Sequence, residues 1–236
     1  MLEVRNLSFS YRRQKILRDV SFVVSPGEIV SIVGANGAGK TTLLRILATL
    51  QPPDSGTVMM DGQDALVRPL RYRRQLGFLP ERIALYDDMT VKEYLRYRAF
   101  LKGEPSKRVR RRVTESVELC QIGDVLRMPI AALSAGQRKR VALADAMILR
   151  PRVLLLDDLL AGLDGSMRAM AGNLLTSAVA FSSVIVTGHE LEEFAKWTSR
   201  FLVLRDGVIA ASLETAGQDL PTLRERLDAA MERGVV

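Results

Sequence analysis

Apolar and polar positions alternate at the start of the chain. Leu2 and Val4, then Leu7, Phe9 and Tyr11, fall on one side, with a single slip near Asn6, and this predicts a strand. Residues 16–24 read as a second extended segment, closed by the turn Ser25-Pro26-Gly27. The apolar run 29–33 then enters a glycine-rich loop, and a helix leaves that loop with Leu43, Leu44, Ile46, Leu47 and Leu50 at helical spacing. The segment 51–56, with two prolines and a glycine, stops this helix, and a short strand over 57–60 ends at Asp61-Gly62.

The period then changes. Residues from about 87 to 150 read mostly as helix: one carrying Val91, Tyr94, Leu95, Arg98 and Leu101 near one face, one over 108–119 with a basic first half, and one over 135–149. After Pro151, VLLLDD is a short apolar run of the kind buried on both faces in a parallel sheet, and SVIVTGH is another. Residues 201–204 and 208–213 flank Arg205-Asp206-Gly207, a hairpin signal. A tail helix over 221–233 would align Leu223, Leu227, Ala230 and Met231. The pattern is that of an α/β core split by a helical insertion.

Composition narrows this picture. The chain has 236 residues, 47% hydrophobic and 26% charged, the balance of a folded globule and not of a disordered or fibrous chain. A formal charge of +7 suits an anionic partner without saying which. A single cysteine, Cys120, excludes an intrachain disulfide framework and a Cys-rich metal site, and reads as a small half-buried hydrophobe. No signal-peptide pattern is visible at the N-terminus, which is charged from Glu3 onward. The uncharged stretch 169–188 is long enough to span a bilayer, but it carries six Asn, Ser and Thr residues and breaks near Phe181 into a helical half and a strand-like half, so it reads as helix then strand.

The most specific chemistry lies in the glycine loop. Gly34-Ala35-Asn36-Gly37-Ala38-Gly39-Lys40-Thr41 has the spacing G-x-x-x-x-G-K-[ST] and sits between a strand and a helix, as a phosphate cradle requires. Glycines let the backbone wrap a phosphate with its N–H groups inward, and the helix N-terminus adds positive dipole. Lys40 would bridge the β- and γ-phosphates and Thr41 would offer its hydroxyl to Mg²⁺. The magnesium carboxylate is expected at the end of a second strand, where VLLLDD supplies Asp157.

With these two motifs in place, the chain resembles the ATP-binding-cassette ATPases over about residues 2–213. Its LSAGQ, Leu133 followed by Ser134, Ala135, Gly136 and Gln137, is similar to the family's LSGGQ signature, with Ala for Gly at the third position. The resemblance implies an α/β fold: a P-loop NTPase core with a mixed sheet, an N-terminal antiparallel β subdomain and an inserted α-helical subdomain at about 82–145. It implies an ATPase domain over 1–220 and a helical tail over 221–236. It implies ATP and Mg²⁺ as cofactors, Tyr11 stacked on adenine, and Gly34, Asn36, Gly37, Ala38, Gly39, Lys40, Thr41 and Thr42 around the phosphates. Thr41, Glu81 and Asp157 would serve the metal, Asp158, His189 and Glu81 the reacting γ-phosphate, and Ser134–Gln137 with Asp164 would reach the nucleotide of a second subunit. Glu81 stands where the family usually has Gln.

The residue after the magnesium Asp is normally Glu in active members, and here it is Asp158, shorter by one carbon–carbon bond of about 1.5 Å. A base must lie within hydrogen-bond reach of the proton it takes, so the shorter side chain implies intact ATP binding with slow hydrolysis, unless the backbone shifts to compensate. The expected partners are a second cassette, identical or related, and an integral membrane permease docking near Glu81 and the helical subdomain. The expected location is cytoplasmic, peripheral on the inner face of the membrane. Glu81 and LYDDMTVKEYL resemble exporter-type cassettes. The alternative is a non-transport cassette acting on nucleic acid or a protein assembly, suggested by Arg108 and Arg110–Arg112 and a pI near 9.8. No aromatics interleave with these arginines, so nucleic acid is not the expected partner.

Overall fold

A computed structural model describes residues 1–232; the last four residues of the expected tail, 233–236, lie outside the described residues. Two long strands, β1 (Leu2–Tyr11) and β2 (Gln14–Val24), pair antiparallel. The slip in the pattern at Asn6 is a real irregularity: the register shifts between Val4 and Leu7, and Asn6 takes a left-handed φ of 48°. β4 (Ser55–Met60) and the two-residue β5 (Gln63–Asp64) complete a four-stranded sheet ordered β2-β1-β4-β5.

The second sheet has six strands ordered β10-β9-β3-β8-β7-β6. Here β3 is Ile29–Val33, β6 Leu76–Leu79, β7 Val153–Leu156, β8 Ser183–Thr187, β9 Arg200–Arg205 and β10 Val208–Glu214. All pairs are parallel except β9–β10, so the sheet is mixed. Every residue of β3, β7 and β8 is buried. Alternate side chains on these strands serve two cores. Ile29, Val33, Leu154, Leu156, Val184 and Val186 join the core shared with most of the helices. Val30, Ile32, Val153, Leu155 and Ile185 join the core shared with the antiparallel sheet. A sheet covered on both faces has no polar side, which is why its strands read as continuous apolar runs.

Helix α1 (Lys40–Leu47) sends Leu43, Leu44, Ile46 and Leu47 into the second core. It ends three residues before the expected Leu50, because Thr49 turns left-handed at φ 55°, and Leu50 is 60% exposed. The short α2 (Pro69–Arg73) and β6 follow. β6 was not legible as a strand: it has four residues and contains Gly77, where a Cβ would lie 2.4 Å from the carbonyl oxygen of Ala146. Glycine is there so that the next helical layer can approach the sheet backbone.

Between β6 and β7 the chain is helical: α3 (Val91–Leu101), α4 (Ser106–Leu119) and α5 (Ala135–Met147). Two of these open with capping boxes, Thr90 with Glu93 and Ser134 with Gln137, so both starts are fixed by side chains close in sequence. α5 stops two residues earlier than the apolar spacing suggests, and Arg150 follows it at φ 50°. α6 (Gly165–Ala178) and the short α7 (Leu191–Ala195) flank β8, and α8 (Leu220–Glu232) lays Leu223 and Leu227 into the larger core, in contact with β9 and β10.

Helices α3 and α5 are joined by a buried charge cluster. Asp145 accepts from Arg98 at 2.9 Å and Lys102 at 2.8 Å, and Lys102 also donates to the Asp145 carbonyl. Burial works against the ionised carboxylate, but the two cations outweigh it and hold Asp145 below the usual carboxylate range. A depressed folded-state value means that the stabilisation is complete above the ordinary carboxylate pKa of about 3.9 and is lost as pH falls through the lower folded value. Asp145→Asn leaves two partly buried cations without their counterion and is expected to cost about 3–5 kcal/mol near neutral pH. Chemical denaturation as a function of pH checks this: the deficit narrows below about pH 4, where wild type loses the same pairing.

Candidate functional site

Four parallel strands end on the same side, and each delivers part of one cavity of about 550 Å³. Ligands of open α/β sheets bind beyond the carboxyl ends of the strands. β3 leads into the glycine loop, β7 into Asp157 and Asp158, β8 into Gly188 and His189, and β6 into Glu81. The lining includes Asn36, Gly37, Gly39, Lys40, Thr41 and Thr42 from the loop and α1, together with Glu81, Asp157, Asp158 and His189. Gly39, which precedes α1, has φ 106°, and a Cβ there would approach Leu17 at 2.9 Å. Only glycine meets both conditions while opening the first turn of α1.

Lys40 folds back over the loop. Its Nζ donates to the carbonyls of Gly34 at 2.6 Å and Ala35 at 3.1 Å. Burial lowers its pKa, while Asp158 and Asp157 act in the opposite direction. Facing it, Asp157 Oδ1 accepts hydrogen bonds from Thr187 Oγ1 at 2.8 Å and Thr41 Oγ1 at 3.2 Å. Asp157 Oδ2 is buried with no hydrogen-bond partner. Burial, with Glu81 and Asp158 adding repulsion, raises the Asp157 pKa although both threonines oppose it. A buried carboxylate oxygen without a donor, on a residue that lines the cavity beside the Thr41 hydroxyl, fits a hard divalent cation such as Mg²⁺. Among the described residues no group of three or more His, Cys, Asp or Glu side chains could cage a metal unaided. The donor set therefore suits an ion that takes its remaining ligands from phosphate and water.

Asp158 adopts a left-handed φ of 50°. Its N–H donates to Thr187 Oγ1 at 2.9 Å, so one hydroxyl ties both aspartates to the end of β8. Neither Thr187 nor Ile16, which also lines the cavity, was singled out from the sequence. A threonine ending a β-branched run before Gly-His gives no signal of its own until the strands are ordered.

The remaining expected residues lie elsewhere. Tyr11 is 43% exposed on β1, edge-on to Phe9 with ring centroids 4.7 Å apart, and is not part of the lining. Gly34 and Ala38 shape the loop from behind. Ser134, Ala135, Gly136 and Gln137 open α5 away from this cavity, with Ser134 and Gln137 spent on their capping box. Asp164 caps α6, accepting from the Met167 N–H at 2.9 Å and from Ser166 Oγ, and these bonds lower its pKa.

Comparison with known proteins agrees with this geometry. The family profile described as ABC transporter matches residues 17–161. The sulfate/thiosulfate import ATP-binding protein CysA of Methylococcus capsulatus is 37% identical over 215 residues, covering 88% of this chain and 61% of that protein. The spermidine/putrescine import ATP-binding protein PotA of Haemophilus influenzae is 32% identical over 213 residues, covering 89% and 57%. The chain thus spans about three fifths of the length of these curated relatives. Among solved structures, an ATP-binding subunit of an ABC transporter superposes with a TM-score of 0.86 at 28% identity, covering 97% of this chain and 99% of that one. A bacterial ABC transporter cassette solved as a dimer gives 0.84 at 25% identity, covering 92% and 100%. With its glycine loop, buried aspartate and LSAGQ helix start in this arrangement, the chain belongs to the ABC transporter family, in the part of it that forms the ATP-binding cassette.

Proposed function

We propose that this chain binds and hydrolyses ATP as the cassette of a transporter, pairing with a second cassette and driving a separate membrane permease. The observation that carries the reading is the cavity itself: a glycine loop with its lysine faces a buried, half-satisfied aspartate across a space lined by Glu81, Asp158 and His189. The loop N–H groups and Lys40 take the phosphates, Lys40 exchanging the Gly34 and Ala35 carbonyls for phosphate oxygens. Thr41 and Asp157 would hold Mg²⁺, and Glu81 adds a third oxygen donor at the rim. Bound there, the cation would neutralise charge on the terminal phosphates. Asp158 receives the proton of the attacking water, and His189 contacts the γ-phosphate as charge moves to the leaving oxygen. Tyr11 offers an exposed ring for the adenine.

The signature residues Ser134–Gln137 and Asp164 do not line the chain's own cavity, and this supports a site completed by a second cassette. A dimeric relative of the same fold supports it further. Among the described residues no helix is long and apolar enough to cross a membrane. A second cavity of about 550 Å³ between α2, β6 and α3 supplies a docking surface. Leu50, Leu70 and Leu101 are exposed there beside Arg74, Arg82 and Arg98, an apolar patch with a basic rim. It adjoins Glu81, so a segment seated in it would sense the nucleotide site. In this reading the chain lies in the cytoplasm, on the inner face of the membrane. The export direction expected from Glu81 finds no support in the relatives, which are named for import. Cargo and direction are assigned to the permease.

Two measurements test the reading. Asp158→Glu restores the longer carboxylate and is expected to raise ATP turnover by about ten-fold or more with little change in KM; no gain contradicts the role given to Asp158. Leu70→Asp or Leu101→Asp is expected to abolish co-purification with the permease while ATP turnover of the isolated chain stays within about two-fold; retained co-purification removes the groove from the docking surface.

A further inference from the structure

The turn that carries Asp158 is held from outside the nucleotide cavity as well as from within it. On one side, the Asp158 N–H is tied to Thr187 at the end of β8. On the other, Lys139 of α5 donates from Nζ to the carbonyl of Asp158 and to the carbonyl of Ala161, each at 2.8 Å. The turn itself contributes only a long hydrogen bond, Ala161 N–H to Asp158 C=O at 3.4 Å. Asp158 also sits at φ 50°, in the left-handed region, which aspartate enters more readily than most non-glycine residues and which places it in a tight turn. Two ammonium-to-carbonyl bonds close that turn, and being charge-assisted they are stronger than neutral ones.

Lys139 lies one and a half helical turns after Ser134, on the same helix whose N-terminus presents LSAGQ. The same ammonium thus links the orientation of that helix to the backbone of Asp158, and through Ala161 to the loop that runs on to Asp164. We propose that Lys139 is a positioning residue for hydrolysis: it closes the Asp158–Ala161 turn and makes the placement of the Asp158 carboxylate depend on the orientation of the signature helix. The proposal rests on the reading of Asp158 as the group that handles the attacking water. Lys139 does not line the nucleotide cavity. Its removal therefore acts on the chemical step and not on ATP affinity. A rigid-body turn of α5, when a second cassette engages LSAGQ, would move the Asp158 carbonyl directly.

The test uses the full chain with Lys139→Met, which keeps the length and apolar stem of the side chain and removes the donors, and Lys139→Arg, which returns them. Amide hydrogen exchange over residues 159–163 reads the tether whether or not a preparation hydrolyses ATP. Turnover and KM read its consequence. Lys139→Met is expected to speed exchange in that segment and to lower kcat by about ten- to a hundred-fold with KM within about two-fold. Lys139→Arg is expected to recover protection and most of kcat. Unchanged exchange in Lys139→Met overturns the proposal, as does faster exchange with wild-type kcat, or a parallel loss of kcat, KM and thermal midpoint that arginine does not rescue. If methionine prevents folding, Lys139→Gln, which keeps a neutral donor, is read by the same two measurements and is expected to fall between wild type and the loss predicted for methionine. A wild-type chain that binds ATP without hydrolysing it counts against the proposed function and leaves the exchange result to decide the tether.

Discussion

One carboxylate oxygen of Asp157 accepts hydrogen bonds from two threonines on different elements, Thr41 at the start of α1 and Thr187 at the end of β8. The other oxygen is buried and has no donor. Leaving a buried carboxylate oxygen unpaired costs stability, and burial accordingly pushes the Asp157 pKa up. The arrangement suits a divalent cation with a phosphate, whose charge and hard oxygen chemistry match that unpaired oxygen. Everything else in the fold serves to hold this oxygen where it is. β7 delivers Asp157, the glycine loop delivers Lys40 and Thr41, and β8 fixes the tie from behind.

The six-stranded sheet makes this placement rigid. Its central strands divide their side chains alternately between two cores, one under the helices and one under the antiparallel sheet. With apolar packing on both faces, no strand can slip by one residue without exchanging its whole set between cores. The strand ends therefore keep a fixed stagger, and the four short loops leaving them meet at one cavity. The helical insertion packs on the sheet through α5, within the larger of the two cores. Charge adds to this packing: Asp145 pairs with Arg98 and Lys102, and Lys139 bonds the turn that follows β7.

Most of the fold and the centre of the site were legible in the chain because their signals are local. The glycine loop, the run ending in Asp157 and the two buried strands announce themselves through spacing and apolar runs. The slip at Asn6 proved to be a genuine irregularity in β1. What was missed depends on partners distant in sequence. β6 is four residues long with a glycine whose reason is the approach of α5, over sixty residues later. Helix α1 stops short of Leu50 through the backbone turn at Thr49, which the apolar spacing ran straight through. Thr187 and Lys139 act through contacts across the sheet and across the insertion, so nothing near them in the chain marks either one.

The central claim is that a cation bound beside Asp157 completes the nucleotide site. Titration calorimetry of the purified chain with ATP, in the presence of Mg²⁺ and then of a chelator, tests it most directly. The account predicts one nucleotide per chain, bound at least about ten-fold more tightly with Mg²⁺, a difference that Asp157→Asn erases. Equal affinity with and without the cation, or no binding of ATP in either condition, would contradict it.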